Sequence, residues 1–70
     1  MTEVVNHNGI VIKVGDRIQI ISQYIGKKAL ANVELGEVLL VTGISEDGKI
    51  LYHHNSLALP VNCDAYTKLV

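Results

Sequence analysis

The feature that most constrains this chain is its number of branched aliphatic residues. Nine valines, eight isoleucines and eight leucines account for 25 of the 70 residues, and the chain has no tryptophan or phenylalanine. So small a domain has a large surface for its volume and cannot hide all 25 side chains from water. We therefore expect one domain, residues 1–70, that forms a homo-oligomer or binds another protein. The alternative is a monomer with scattered exposed aliphatic side chains.

Charge and composition exclude several classes of protein. Six basic against seven acidic residues give a net charge of −1, without the basic footprint of a typical nucleic-acid binder. Apolar runs such as 38–41 are far shorter than the roughly 20 residues that span a bilayer, and the N-terminus lacks a signal peptide's positive charge. The lone Cys63 cannot form an internal disulfide. We expect a cytoplasmic protein, in the host cytoplasm if viral, with no membrane partner.

Short apolar runs separated by Gly, Asn and Asp predict an all-β fold. The Asn-Gly pair at 8–9 predicts an N-terminal hairpin, and the Asp-Gly pair at 47–48 predicts a second one between strands 36–45 and 49–55. Residues 17–22 alternate in a way that indicates a half-buried strand. The buried face of that strand is predicted to carry Ile18 and Ile20.

The middle of the chain predicts a long loop followed by an unusual strand. Residues 23–35 have no regular period, and a loop of this length in a compact domain is more often functional than a linker. Residues 36–45 are apolar on both faces, which is typical of a central or curved strand, and Gly43 permits a bend. The two faces carry Leu39 and Val41 on one side, and Val38, Leu40 and Ile44 on the other.

The end of the chain predicts two more strands. Leu57, Leu59 and Val61 alternate, and because Pro60 has no N–H to donate, their strand lies at an edge or has the Pro60 nitrogen facing solvent. Residues 66–70 form the last strand. In total we expect five to seven short antiparallel strands in a small barrel or sandwich with an N-terminal hairpin.

The order of several motifs resembles that of SH3-like barrels. The resemblance covers residues 14–70 and implies a five-stranded barrel core, with 23–35 as the family's first long loop and with Pro60 and Tyr66 near its usual binding face. The motifs are Val-Gly-Asp-Arg-Ile at 14–18, Gly-Glu-Val at 36–38, Asp-Gly-Lys at 47–49, Ala-Leu-Pro at 58–60 and Tyr-Thr-Lys-Leu-Val at 66–70.

The chain also departs from that family. SH3 domains hold proline-rich peptides on several aromatics that include paired tryptophans, whereas this chain has three tyrosines and no tryptophan. We therefore do not expect proline-rich ligands. The interval from Pro60 to Tyr66 is longer than in the family, and the N-terminal hairpin lies outside its five-stranded plan, where it could form an oligomer contact.

One polar cluster, Leu-Tyr-His-His-Asn at 51–55, supports three interpretations. On a regular strand Tyr52 and His54 share a face, with Asn55 at its end, and such side chains suit an interface with another protein. Alternatively, one histidine packs its ring against the barrel and the other is solvated. The third interpretation is a metal site, or a Cys63 nucleophile with a histidine base. Zinc-ligand spacings are absent, however, and Asp64 would raise the pKa of the Cys63 thiol.

The predicted loop 23–35 offers a second kind of site. Lys27 and Lys28 could contact phosphate while Tyr24 stacks on a base, as in small barrels that bind nucleic acid. The alternative is a solvated loop.

These patterns favour a non-enzymatic protein-interaction module without a cofactor or metal. Its predicted protein-binding residues are Tyr52, His54, Asn55 and Tyr24. By analogy, such a chain is typical of small bacterial or bacteriophage accessory proteins that dock on a larger host enzyme. The alternative is a nucleic-acid or nucleotide binder that uses Tyr24, Lys27 and Lys28.

Overall fold

The protein is all-β. The computed structural model describes residues 2–69, which form ten short strands and no helix, so none of them lies in a helix long and apolar enough to cross a membrane. The expected five to seven strands are therefore an undercount. The strands are β1 (Glu3–Val5), β2 (Val11–Lys13), β3 (Arg17–Ile20), β4 (Tyr24–Ile25), β5 (Lys28–Ala29), β6 (Val38–Leu40), β7 (Gly43–Ile44), β8 (Ile50–Tyr52), β9 (Leu57–Leu59) and β10 (Tyr66–Lys68).

The N-terminal hairpin predicted from Asn-Gly is confirmed. β1 and β2 pair antiparallel, and the Asn6 Oδ1 accepts hydrogen bonds from the backbone N–H of Asn8 at 2.9 Å and of Ile10 at 3.0 Å. Gly9 takes a φ of +78°, which a glycine adopts without a Cβ penalty. The hairpin is part of the main core, because Ile12 on β2 is completely buried there.

Two three-stranded sheets make up most of the rest. The first has the order β10-β3-β6 and the second has the order β7-β8-β9, with antiparallel pairing throughout. The strand predicted at 17–22 is confirmed as β3, with Ile18 and Ile20 buried. The Asp-Gly hairpin is confirmed as β7-β8, although its return strand ends at Tyr52 and not at Asn55.

The predicted strand 36–45 is curved and belongs to both sheets. β6 pairs with β3, β7 pairs with β8, and the chain changes sheets at Val41 and Thr42. The Val41 N–H donates to the Asp16 carbonyl at 2.8 Å, and the Thr42 N–H donates to the Leu51 carbonyl at 2.9 Å. The expectation of a central strand is wrong for β6, which lies at the edge of its sheet.

The expected loop at 23–35 is also corrected. Within it β4 and β5 form a small antiparallel hairpin, with Tyr24 opposite Ala29 and Ile25 opposite Lys28. A two-residue strand is too short to show a period in the sequence, so this hairpin left no pattern. Val33, in the part of the segment without strands, is buried in the core.

The C-terminal expectations are confirmed in outline. β9 lies at a sheet edge and Pro60 directly follows it, so Val61 is outside the strand. β10 forms as predicted, while Val70 lies outside the described residues. The strands of residues 2–69 form four separate hydrogen-bonded sheets and no closed barrel.

A polar contact ties the hairpin to the last strand. The Lys68 Nζ donates to the Val11 carbonyl at 2.9 Å and lies 3.2 Å from the Asp16 carboxylate. The Lys13 N–H also donates to Asp16, and this bond, followed by the bond and charge of Lys68, holds the pKa of the carboxyl below its ordinary value. The hairpin is therefore attached to the sheets by a buried side chain, that of Ile12, and by the hydrogen bond from Lys68 to the Val11 carbonyl.

Replacing two isoleucines of the hairpin segment tests whether it belongs to the core. Ile12 is 0% exposed and Ile10 is 42% exposed. We expect Ile12→Ala to lower the free energy of unfolding by about 2–5 kcal/mol in urea denaturation. The matched Ile10→Ala is expected to change it by about 0.5 kcal/mol or less. Equal effects of the two substitutions would show that the hairpin does not share the core.

Candidate functional site

A shallow groove runs along the free edge of β6. It has a volume of about 220 Å³ and lies between β6 and the turn that follows β8. Val38 and Leu40 of β6 are 49% and 53% exposed. The lining residues are Val38, Leu39, Leu40, Thr42, His53 and His54.

The groove exists because β8 stops pairing. Gly43 lies opposite Leu51 and Ile44 opposite Ile50, so in this register a longer β8 would place His54 opposite Leu40. The chain instead turns away after Tyr52 and returns as β9, in which Leu57 pairs with Tyr52. The edge of β6 is therefore left without a neighbouring strand from residues 2–69.

The turn that ends β8 has an unusual backbone. His53, His54 and Asn55 have φ values of 51°, 56° and 65°, so three consecutive non-glycine residues are left-handed. This conformation costs roughly 1–2 kcal/mol per residue for most residue types, and among non-glycine residues Asn, Asp and His adopt it most often. Strain of this kind clusters at functional sites and persists only where surrounding contacts impose it.

This conformation is imposed by contacts between the turn at 53–55 and the bend at Thr42 and Gly43, where the chain changes sheets. The Thr42 hydroxyl donates to the Asn55 Oδ1 at 2.7 Å and accepts the Asn55 N–H at 3.0 Å. The Ser56 N–H closes the turn onto the His53 carbonyl at 3.1 Å. A Cβ on Gly43 would lie 2.7 Å from the Asn55 Oδ1, so only glycine lets the Asn55 side chain approach this closely.

Tyr52 does not share an exposed face with His54, and that prediction is wrong. Tyr52 is 3% exposed and belongs to the core, whereas His53 and His54 are both exposed in the turn. Burial raises the pKa of the Tyr52 hydroxyl, and the charge of the Glu37 carboxylate adds to this effect. The Tyr52 ring also meets the His53 ring edge-on, with centroids 5.1 Å apart. Tyr52 thus lies in the core beside the His53 ring, and His54 and Asn55 remain at the surface.

The second predicted site lies on the β4-β5 hairpin. Tyr24 is 60% exposed on β4, Lys27 lies in the turn and Lys28 begins β5, also exposed. The three predicted residues therefore stay together at one hairpin, apart from the groove-lining set.

Of the two residues that the SH3-like resemblance places near a binding face, Pro60 is exposed and Tyr66 is not. Tyr66 is buried, and its hydroxyl donates to the Val61 carbonyl at 2.7 Å and accepts from the Asn6 side chain at 3.3 Å. Burial raises the pKa of this hydroxyl. Tyr66 is a structural residue that fastens the 60–65 segment to the hairpin.

Cys63 is in a poor environment for a nucleophile. Burial raises the pKa of its thiol, and the Asp64 charge adds to this against a lowering hydrogen bond from the backbone of Ala65. Its Sγ donates to the Pro60 carbonyl at 3.2 Å. Within residues 2–69 no three His, Cys, Asp or Glu side chains converge as metal ligands would.

Sequence reasoning missed Val38, Leu40 and Thr42 as parts of a site. Apolar residues on both faces of 36–45 predict a central or curved strand, and in a central strand Val38 and Leu40 would be buried. The available signal was Asn55, which tolerates left-handed backbone and so could have indicated an early turn after Tyr52.

Comparison with known proteins gives no assignment: no protein-family model, curated protein or solved structure matches the chain.

Relieving the backbone strain of the turn should stabilise the protein. Glycine at position 54 removes the Cβ penalty, so we expect His54→Gly to raise the free energy of unfolding by about 1 kcal/mol. The control Ala58→Gly lies on the exposed face of β9 and should lower it by about 0.5–1 kcal/mol. Urea denaturation measures both. A loss of stability in His54→Gly as large as in the control would contradict a strained turn.

Proposed function

We propose that the protein is a non-enzymatic protein-interaction module that binds through the open edge, which we define as Val38–Leu40 together with His53 and His54. The observation that carries the proposal is the pair of half-exposed aliphatic side chains, Val38 and Leu40, on a strand edge that β8 leaves uncovered. Edge strands of this kind readily take up another chain unless charge, proline or a bulge protects them. Residues 38–40 contain none of the protecting residue types.

The surroundings of the open edge favour binding over catalysis. Its walls are aliphatic side chains, one threonine and two exposed histidines. The titratable groups that burial perturbs, Tyr52, Cys63 and Tyr66, are not among these walls. A catalytic site usually brings such perturbed groups together in a cleft.

The SH3-like barrel is part of the proposal. Counting the bent segment 38–44 as one strand, the two three-stranded sheets share that strand and give five strands in all. This strand order supports a barrel core with β4-β5 inside the first long loop and β1-β2 added before it. A ligand of a type other than proline-rich peptides fits best, because Tyr66 is buried.

The exposed aliphatic residues support a protein partner and self-association. Those at least 37% exposed include Val5 and Val11, which pair across the N-terminal hairpin. We place the module in the cytoplasm, as a small bacterial or bacteriophage accessory protein that docks on a larger host enzyme. Within residues 2–69 the exposed large aliphatic side chains are Val5, Ile10, Val11, Val14, Ile21, Leu35, Val38 and Leu40.

Nucleic-acid or nucleotide binding is the second candidate function. It is favoured by the joint exposure of Tyr24, Lys27 and Lys28 on one hairpin. Phosphate binding falls steeply with salt, whereas docking of apolar surfaces does not.

A charge placed on the open edge tests the leading function. We expect Leu40→Glu to reduce capture of protein partners from the native cytosol by tenfold or more, since a buried charge without a partner is costly. Leu35→Glu is the matched control, because Leu35 is 64% exposed and lies outside the groove.

Quantitative mass spectrometry of the captured proteins measures the effect. Full retention of every partner by Leu40→Glu would contradict the proposed surface. Capture of nucleic acid that disappears between about 50 and 200 mM salt, with no protein retained, would favour the second candidate.

A further inference from the structure

We propose that the open edge binds an extended, acidic and aliphatic peptide segment of a partner as an added strand antiparallel to β6. This inference rests on the proposed function and specifies its ligand. It depends on three observations: the direction of the backbone groups of β6, the vacated path of β8, and a cation beside the edge.

The backbone of β6 presents hydrogen-bonding groups to the open side. The Glu37 carbonyl accepts the Ile20 N–H at 2.9 Å, and the Val41 N–H donates to the Asp16 carbonyl at 2.8 Å. The backbone groups at positions 37 and 41 therefore point toward β3. Antiparallel strands alternate the direction of these groups residue by residue, so Val38 and Leu40 direct theirs away from β3. Thr42, the next position in this series, donates to Leu51 of β8.

The path beyond Leu51 is the place that an added strand would occupy. β8 runs antiparallel to β7 and leaves this path at the left-handed turn. An extended peptide on this path would place its backbone beside the outward N–H and C=O groups of Val38 and Leu40. It could pair with them in the way that the Leu51 carbonyl accepts the Thr42 N–H. Antiparallel pairing is also slightly more stable per residue than parallel pairing. The backbone chemistry thus selects an extended segment over a helix.

The side chains beside the edge select its composition. Val38 and Leu40 offer apolar neighbours to aliphatic residues of the added strand. Arg17 lies opposite Leu40 on β3 and is exposed, and it forms no ion pair within residues 2–69. An added strand would lie about 10 Å from β3, two strand spacings, a gap that an arginine and a glutamate side chain together can cross.

The nearby acid does not cancel this preference. Glu37 precedes the edge, and its carboxylate accepts the Glu34 N–H at 2.9 Å. Arg17 pairs with Leu40, at the other end of β6 from Glu37, so a carboxylate of the partner beside Leu40 would complement Arg17 and a lysine there would be repelled.

Nuclear magnetic resonance titration of the 70-residue chain tests the proposal with defined probes. The first probe is a capped Val-Thr-Val-Thr-Glu-Thr hexapeptide, whose two valines and one glutamate share a face of the strand, and the control replaces the glutamate with lysine. We expect the glutamate peptide to bind at least tenfold more tightly and to slow hydrogen exchange of the Val38 and Leu40 amides at least tenfold. Binding without that protection would overturn strand addition but leave groove binding intact.

A proline variant separates backbone pairing from side-chain contact. Leu40→Pro removes the outward N–H, and proline is tolerated on an edge strand whose N–H faces solvent. Leu40→Ala keeps the N–H and loses a similar amount of side-chain contact. We expect Leu40→Pro to weaken binding of the glutamate peptide about tenfold more than Leu40→Ala does. If Leu40→Pro does not fold, hydrogen exchange of the Val38 and Leu40 amides in the unmodified protein distinguishes backbone pairing from side-chain contact.

Other occupants of the edge are outcomes of the same experiment. Protection of Val38 and Leu40 that rises with protein concentration, without peptide, would assign the edge to a second copy and overturn the proposal. Equal binding of the glutamate and lysine peptides would overturn the acidic preference. Failure of both peptides to bind, while Leu40→Glu still abolishes partner capture, would overturn the extended-peptide ligand and leave the proposed function standing.

Discussion

The bend at Val41 and Thr42 is the feature on which the rest of the structure depends. At these two residues one polypeptide segment leaves the β10-β3-β6 sheet and enters the β7-β8-β9 sheet, with its backbone hydrogen-bonded on both sides of the change. Val41 is buried at this point, so the bend also lies in the core. Without it the two sheets would have no shared strand.

The bend also sets the limits of the groove. The Thr42 side chain exchanges two hydrogen bonds with Asn55, and Gly43 leaves room for the Asn55 amide. These contacts hold His53 and His54 in a strained backbone conformation and prevent β8 from covering β6. The exposed edge is therefore a consequence of specific contacts and not of a chain that is too short to cover it.

The sequence predicted local features well where turn chemistry is strong. Asn-Gly and Asp-Gly located two hairpins, and alternation located Ile18 and Ile20 on the buried face of β3. It failed at Tyr52 because alternation assumes a strand that continues, and the left-handed turn stops the strand at that residue. The weak intrinsic signal for such a turn, one asparagine after two histidines, does not outweigh the strand propensity before it.

The backbone groups of β6 alternate between a side paired with β3 and an open side. Hydrogen exchange of the free protein at low concentration measures this directly. We expect slow exchange for the Leu39 and Val41 amides, which face β3, and exchange at least a hundredfold faster for Val38 and Leu40. Equal protection of all four amides in the monomer would contradict it, because the edge would then already be covered.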